Sequence, residues 1–186
     1  MVTLIGGGCP SGTPQTTNDS NTITVSTTQA ELIYEKRAAS AARYMADKNF
    51  VAFIKSVQPS MCKGKTPNVS YIIEADLTGD GKNELVVDAT SCLAPSSGSD
   101  MNLVAQVDAS GNYSALKING QTLVGYYTGL EVQNRLLVQE SAVHNPGDAA
   151  CCPSGGVDVT YLKWNGAEFV TEKTTHTASW LNPSQL

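Results

Sequence analysis

From residue 69 onward, β-branched stretches recur with a turn signal about every 8–15 residues and no helical stretch between them. Parallel strands need a crossover of about a dozen residues or more, so this spacing dictates mainly antiparallel pairing. The strand-like stretches are 69–75, 85–89, 102–108, 112–118, one or two strands within 132–143, 157–164 and 168–174. Residues 95–100 and 145–148 read as loops, and Asn119-Gly120 as a turn. Asn165-Gly166 reads as a type I′ hairpin turn, because Asn-Gly readily supplies two positive-φ residues. Trp164 and Phe169 on its two sides are expected to pack across the strands.

Upstream of residue 69 the period is helical. Thr28-Gln-Ala-Glu31 has the capping-box spacing, and Ala30, Ile33, Tyr34, Ala38, Ala41, Tyr44 and Met45 fall on one side of a helix running to about residue 47. A second short helix over 50–57 ends before Pro59. The expected fold is therefore α+β, an N-terminal helical hairpin packed on a mainly antiparallel β-sheet. Residues 28–186 form a single domain, since 186 residues suffice to bury roughly 70% of the unfolded surface. Residues 1–27 are a flexible tether or an N-terminal strand: Asn21-Thr-Ile-Thr-Val-Ser-Thr27 alternates polar and β-branched apolar residues.

The net charge of −5 and the scattered Lys and Arg leave no basic stripe for nucleic acid. No stretch approaches the ~20 apolar residues that span a bilayer. Charged residues are only 16% of the chain, a balance that suits an exported β-rich protein. Setting aside Cys9, the cysteines are Cys62, Cys92, Cys151 and Cys152. None of them is spaced as a zinc knuckle or as a redox C-x-x-C, so structural disulfides in an oxidising compartment are expected. Cys62–Cys92 with a vicinal Cys151–Cys152 bridge is one connectivity; the other gives each of the adjacent pair a distant partner. The first would close a loop worth about 3–4 kcal/mol in the chain-entropy model.

Between the first two strands lies Asp76-Leu-Thr-Gly-Asp-Gly-Lys-Asn-Glu84. The side chains of Asp76, Thr78, Asp80 and Glu84, with the carbonyl of Lys82, place oxygens at intervals suited to wrapping one hard cation, and Ca²⁺ takes about 6–8 such ligands. Gly79 and Gly81 permit the sharp turn. The EF-hand is excluded, because the position of its bidentate Glu is Val87, inside a strand. The segment resembles the D-x-[DN]-G-D-G-x-x-D loops of FG-GAP and VCBS-like extracellular proteins, with Thr78 and Glu84 as departures. That resemblance implies a structural Ca²⁺. Met1 to Cys9 (a short apolar run, three glycines, a Cys), followed by a polar stretch, resembles the cleavage region of bacterial lipoproteins, with Gly6 where that family carries a larger apolar residue. This second resemblance implies lipidation and a membrane anchor at Cys9.

His144 and His176 have neither triad nor metal-ligand spacing, and no nucleotide-binding or hydrolase motif occurs. Gly125-Tyr-Tyr-Thr-Gly129 reads as a sheet-edge aromatic pair. The expected function is that of a non-enzymatic extracytoplasmic binding or accessory protein, stabilised by Ca²⁺ and disulfides. The alternative is a structural subunit of an extracellular filament or assembly, self-associating by N-terminal strand exchange.

Overall fold

The structure, a computed structural model, describes residues 27–57, 65–90, 100–125, 128–149 and 152–181. Two helices, α1 (Thr27–Met45) and α2 (Lys48–Val57), precede nine strands. These are β1 (Asn68–Ala75), β2 (Glu84–Thr90), β3 (Asp100–Val107), β4 (Tyr113–Leu116), β5 (Val124–Gly125), β6 (Thr128–Gln133), β7 (Leu136–Ala142), β8 (Val157–Trp164) and β9 (Phe169–Thr177). The first sheet has the order β1-β2-β3-β4, with β5 also pairing β3; the second has the order β6-β7-β8-β9. Every pairing of named strands is antiparallel.

The central strands β2 and β3 are buried on both faces over Leu85–Val87 and Met101–Ala105, so they read as largely apolar runs. Leu85 and Val87 meet Ala41, Phe50, Phe53 and Ile54 of the helices on one face. Val86, between them, points the other way and joins Val104 and Leu116 against Leu130, Leu137, Leu162 and Phe169 of the second sheet. The result is three layers: helices, sheet, sheet. A smaller cluster of Val138, Val157 and Val159 lies on the far face of the second sheet, where Leu181 of the C-terminal segment packs on it.

One pair of sheet margins is stitched by backbone. Phe169 donates its N–H to the Lys117 carbonyl, and its own carbonyl accepts from Asn119, both at 2.8 Å. The other margins, β1 and β6, share no such bonds among the described residues.

Several expectations change. The mixed α+β class holds, but the chain is mostly β, with two sheets in place of one. Helix α1 packs along β1 far more than on α2, whereas α2 packs against β4 and α1 alike. Helix α1 begins at Thr27, so Thr28 lies inside its first turn and not ahead of it. Asp47 is the residue that caps α2, accepting from the Asn49 N–H at 2.8 Å while Tyr113 Oη donates to its second oxygen. Those bonds, led by the one from Tyr113, hold the Asp47 carboxyl below its usual range.

The type I′ geometry sits at Asn119-Gly120, where φ is 47° and 81°, closed by reciprocal bonds between Ile118 and Gln121. At Asn165 the connection is longer. Asn165 and Glu168 close it, the Asn165 side chain accepts from the Ala167 and Glu168 N–H groups, and only Gly166 has positive φ. Trp164 and Phe169 do pair across the strands, with ring centroids 5.1 Å apart. A hairpin without Asn-Gly joins β6 to β7 through Asn134 and Arg135, both at positive φ.

The loop between β7 and β8 is closed by Asp148, which accepts from the Asn145 and Ser154 N–H groups and from Ser154 Oγ. It returns to the sheet through Gly156, at φ +84°, where an added Cβ would lie 2.5 Å from the Thr177 carbonyl oxygen. Gly156→Ala is therefore expected to cost on the order of 2–3 kcal/mol, combining left-handed strain with a backbone clash. Gly147→Ala, at φ +96° in open space, should cost only about 1 kcal/mol. Thermal melts of the two variants check the difference; equal losses would remove the clash from the account.

Candidate functional site

The turn between β1 and β2 is held by one side chain. Glu84, the first residue of β2, is 3% exposed. One of its oxygens accepts from the N–H groups of Leu77 and Thr78 at 2.8 and 3.0 Å, and the other accepts from Thr78 Oγ1 at 3.3 Å. Asp76 accepts from the Gly79 N–H through Oδ1 and pairs with Arg135 through Oδ2 at 2.6 Å. Asp80, at the exposed tip, accepts from the Lys82 N–H at 2.9 Å. Gly79 and Gly81 both take the positive φ that the turn requires.

The structure thus brings Asp76, Thr78 and Glu84 into one turn but aims their oxygens at N–H, O–H and guanidinium donors. Asp80 and Lys82 bond to each other at the tip. Among the described residues, no three His, Cys, Asp or Glu side chains gather closely enough to hold a metal ion. The donor set as arranged does not fit Ca²⁺: Arg135 supplies the positive charge at Asp76 that the cation would have supplied. A Ca²⁺ there would have to displace Arg135 and turn Glu84 away from two backbone N–H groups.

Of the disulfide candidates, Cys62, Cys92 and Cys151 lie outside the described residues, as does the lipidation candidate Cys9; Cys152 is half-buried. The strand read over 21–27 lies outside them too, apart from Thr27, as do Tyr126 and Tyr127. His144 is exposed in its loop, and exposed His176 contacts Asp158 at 2.9 Å.

The most constrained polar group lies elsewhere. Arg37 of α1 forks onto Glu131 of β6, with Nη1 on Oε1 at 2.8 Å and Nη2 on Oε2 at 2.7 Å. The two side chains are only 11% and 10% exposed. The Arg37 guanidinium also lies 5.7 Å from the centre of the Tyr71 ring. Burial, with the nearby Asp88 and Glu131 charges, pushes the Tyr71 phenol well above its ordinary range. On β7, Glu140 pairs in register with Gly129, which makes it a diagonal neighbour of Glu131 on the same face. Glu140 is 5% exposed and accepts from the Leu181 N–H at 2.6 Å. Burial first, and then the Glu131 charge, raise the Glu140 carboxyl.

Arg37–Glu131 and Arg135–Asp76 both span the margins of β1 and β6 that backbone bonds leave open. Beside Arg37, along β1, runs a groove of about 400 Å³. Its apolar lining is Ile33, Ile72 and Ile73, and its polar lining includes Lys36, Arg37, Glu74 and Asn83. There Glu74 accepts from Ser40 Oγ at 2.7 Å, from Tyr44 Oη at 3.1 Å and from Arg43. Burial pushes the Glu74 carboxyl up, but these three donors outweigh it and hold it below its ordinary range. Sequence reasoning missed Arg37, Glu131 and Glu140. The available signal was a carboxylate inside each of two strands with apolar neighbours, Leu130-Glu-Val132 and Val138-Gln-Glu140, because a charge in such a strand is seldom buried unless paired. Comparison with family models, with curated proteins and with solved structures finds no match to this chain.

Proposed function

We propose that the chain is a non-enzymatic extracytoplasmic binding or accessory domain whose recognition face is the groove between α1 and the outer edge of β1. The observation that supports this reading is the groove itself. Ile33 and Ile73 give it apolar walls, and Lys36, Asn83 and the paired Arg37 and Glu74 surround it, the mixture by which a preformed site combines burial with orientation. The extracytoplasmic setting rests on the low charge content and on cysteines spaced for neither zinc nor redox chemistry. Disulfides among Cys62, Cys92, Cys151 and Cys152 then supplement the two cores. At the 76–84 turn the stabilising groups are Glu84 and Arg135 in place of Ca²⁺.

A fragment and short-peptide library screened by amide chemical shifts on the ¹⁵N-labelled chain tests the reading. Shifts from bound compounds should cluster on Ile33, Lys36, Arg37, Ile72, Ile73 and Asn83, and Lys36→Glu should weaken acidic binders by about tenfold. Hits that scatter over the surface, no hits at all, or turnover of esterase or glycosidase substrates would overturn it.

A further inference from the structure

Successive side chains of a strand leave opposite faces of its sheet. A cavity lined by three consecutive strand residues, Ile72, Ile73 and Glu74, therefore runs along the strand's edge and not over one face. Ile72 turns toward the helices and Ile73 toward the second sheet, which confirms the placement. Among the described residues β1 pairs only with β2, so the backbone groups that alternate outward between Ile72 and Ala75 face this groove.

Edge strands that stay single are normally guarded. The outer edge of β9 is one such case. Its pairing with β8 contains a bulge at Tyr161/Leu162, it carries the charges of Glu172 and Lys173, and its first residue is bonded to residues 117–119. β1 has its own bulge between Val69 and Tyr71, but along 72–75 its register is regular and the only charge is Glu74, which is turned into the helix side by Ser40, Arg43 and Tyr44. This edge has groups to pair, apolar side chains beside them and room next to them.

The chain itself contains a matching occupant. Residues 21–27, Asn-Thr-Ile-Thr-Val-Ser-Thr, are uncharged and alternate hydroxyl or amide with β-branched apolar side chains. With Thr27 in α1, the six residues 21–26 when extended span about 20 Å, enough to run past the Ile72–Ala75 edge of β1. Laid on the edge, the segment directs Ile23 and Val25 to one face and Thr22 and Thr24 to the other. Thr27 is already the first residue of α1, so residues 21–26 are the part available as a strand, and folding back along β1 within the same molecule would use some of them up in the reversal.

We propose that residues 21–26 of a second copy of this chain add as a strand to the Ile72–Ala75 edge of β1, beside the Arg37–Glu131 pair, so that the protein self-associates by strand exchange. This deepens the groove reading and rests on it, by naming the groove's partner. Backbone bonding supplies the affinity, and Ile33 and Ile73, on the two sides of the edge, flank the incoming strand.

Sedimentation velocity over a concentration series of the full chain tests the proposal, together with amide exchange at Ile72, Ile73 and Ala75. Association is expected to rise with concentration, and exchange at those amides to slow in step with it. Thr24→Pro removes a donor and fixes φ in the incoming strand without touching the described fold. It should weaken association by about tenfold or more while leaving the melting midpoint unchanged. A free peptide of residues 21–27 should compete, and its Thr24→Pro form should not. A chain that stays monomeric, an association indifferent to Thr24→Pro, or exchange protection at Ile72–Ala75 that is the same at every concentration would overturn it. Groove-binding fragments found on a strictly monomeric chain would sink this proposal and leave the groove reading standing.

Discussion

Arg37→Met is expected to destabilise the protein by about 3 kcal/mol at neutral pH, because truncating one partner of a buried ion pair leaves the other charge uncompensated. At roughly 2–4 °C for each kcal/mol in a chain of this size, the melting midpoint should fall by roughly 6–12 °C. The magnitude follows from burial: with both side chains about nine-tenths covered, little solvent is left to take over from the guanidinium. Glu131 would then share its face of the second sheet with Glu140 and no cation from α1. The double variant Arg37→Met/Glu131→Gln should recover most of the loss, since it removes the stranded charge along with the lost partner.

The pH dependence has a definite sign. It comes from Glu140. Its folded-state pKa is raised, so its contribution to stability is complete below the unfolded value and is lost as pH rises through the folded one. A double variant no better than the single would show that Arg37 acts through packing on Tyr71 and not through charge.

The legible parts of this fold were those set by local chemistry. The strands from β1 to β4, β8 and β9 follow from β-branched residues between turn residues, and the β1–β2 turn from its glycines. The division into two sheets was not legible. Alternation assigns side chains to faces, but which sheet a strand joins depends on the bonds between residues 117–119 and Phe169, some fifty positions along the chain. The β6–β7 hairpin was hidden because Asn134-Arg135 takes positive φ without a glycine. Tyr34 shows the limit of helical periodicity: it falls on the counted apolar side of α1 yet is 51% exposed, because α1 is covered by β1 mainly toward its C-terminal half.

The same divide runs through the sites. The oxygen-rich character of 76–84 can be read directly from the sequence, and Glu84 reaches Leu77 and Thr78 over only six or seven residues. What competes with a cation there cannot be read from it, because Arg135 lies 59 positions from Asp76. Arg37 and Glu131 are 94 positions apart, and no residue spacing announces such a pair. Each of these long-range pairs crosses the margins of β1 and β6, which exist only once both sheets have formed.

Glu84→Ala is expected to cost about 3 kcal/mol, because it orphans two backbone donors, one of them on buried Leu77, at about 1–3 kcal/mol each. Glu84→Gln keeps one acceptor oxygen and should lose roughly half as much. Because this brace is made by the protein alone, the wild-type midpoint should be the same in Ca²⁺ and in chelator. A bound cation at a hundred times its Kd would instead add about 2.7 kcal/mol, a shift no melt could miss. Asp80→Ala separates the two accounts. As an exposed tip residue that accepts from the Lys82 N–H, it should change stability by less than about 1 kcal/mol, with or without Ca²⁺. A Ca²⁺-dependent rise in the wild type that disappears in Asp80→Ala would mean that Arg135 yields Asp76 to the cation, and the turn would then be a metal site after all. If the rise is absent while Glu84→Ala melts early, a single buried carboxylate does for this turn what a cation does in the loops it resembles.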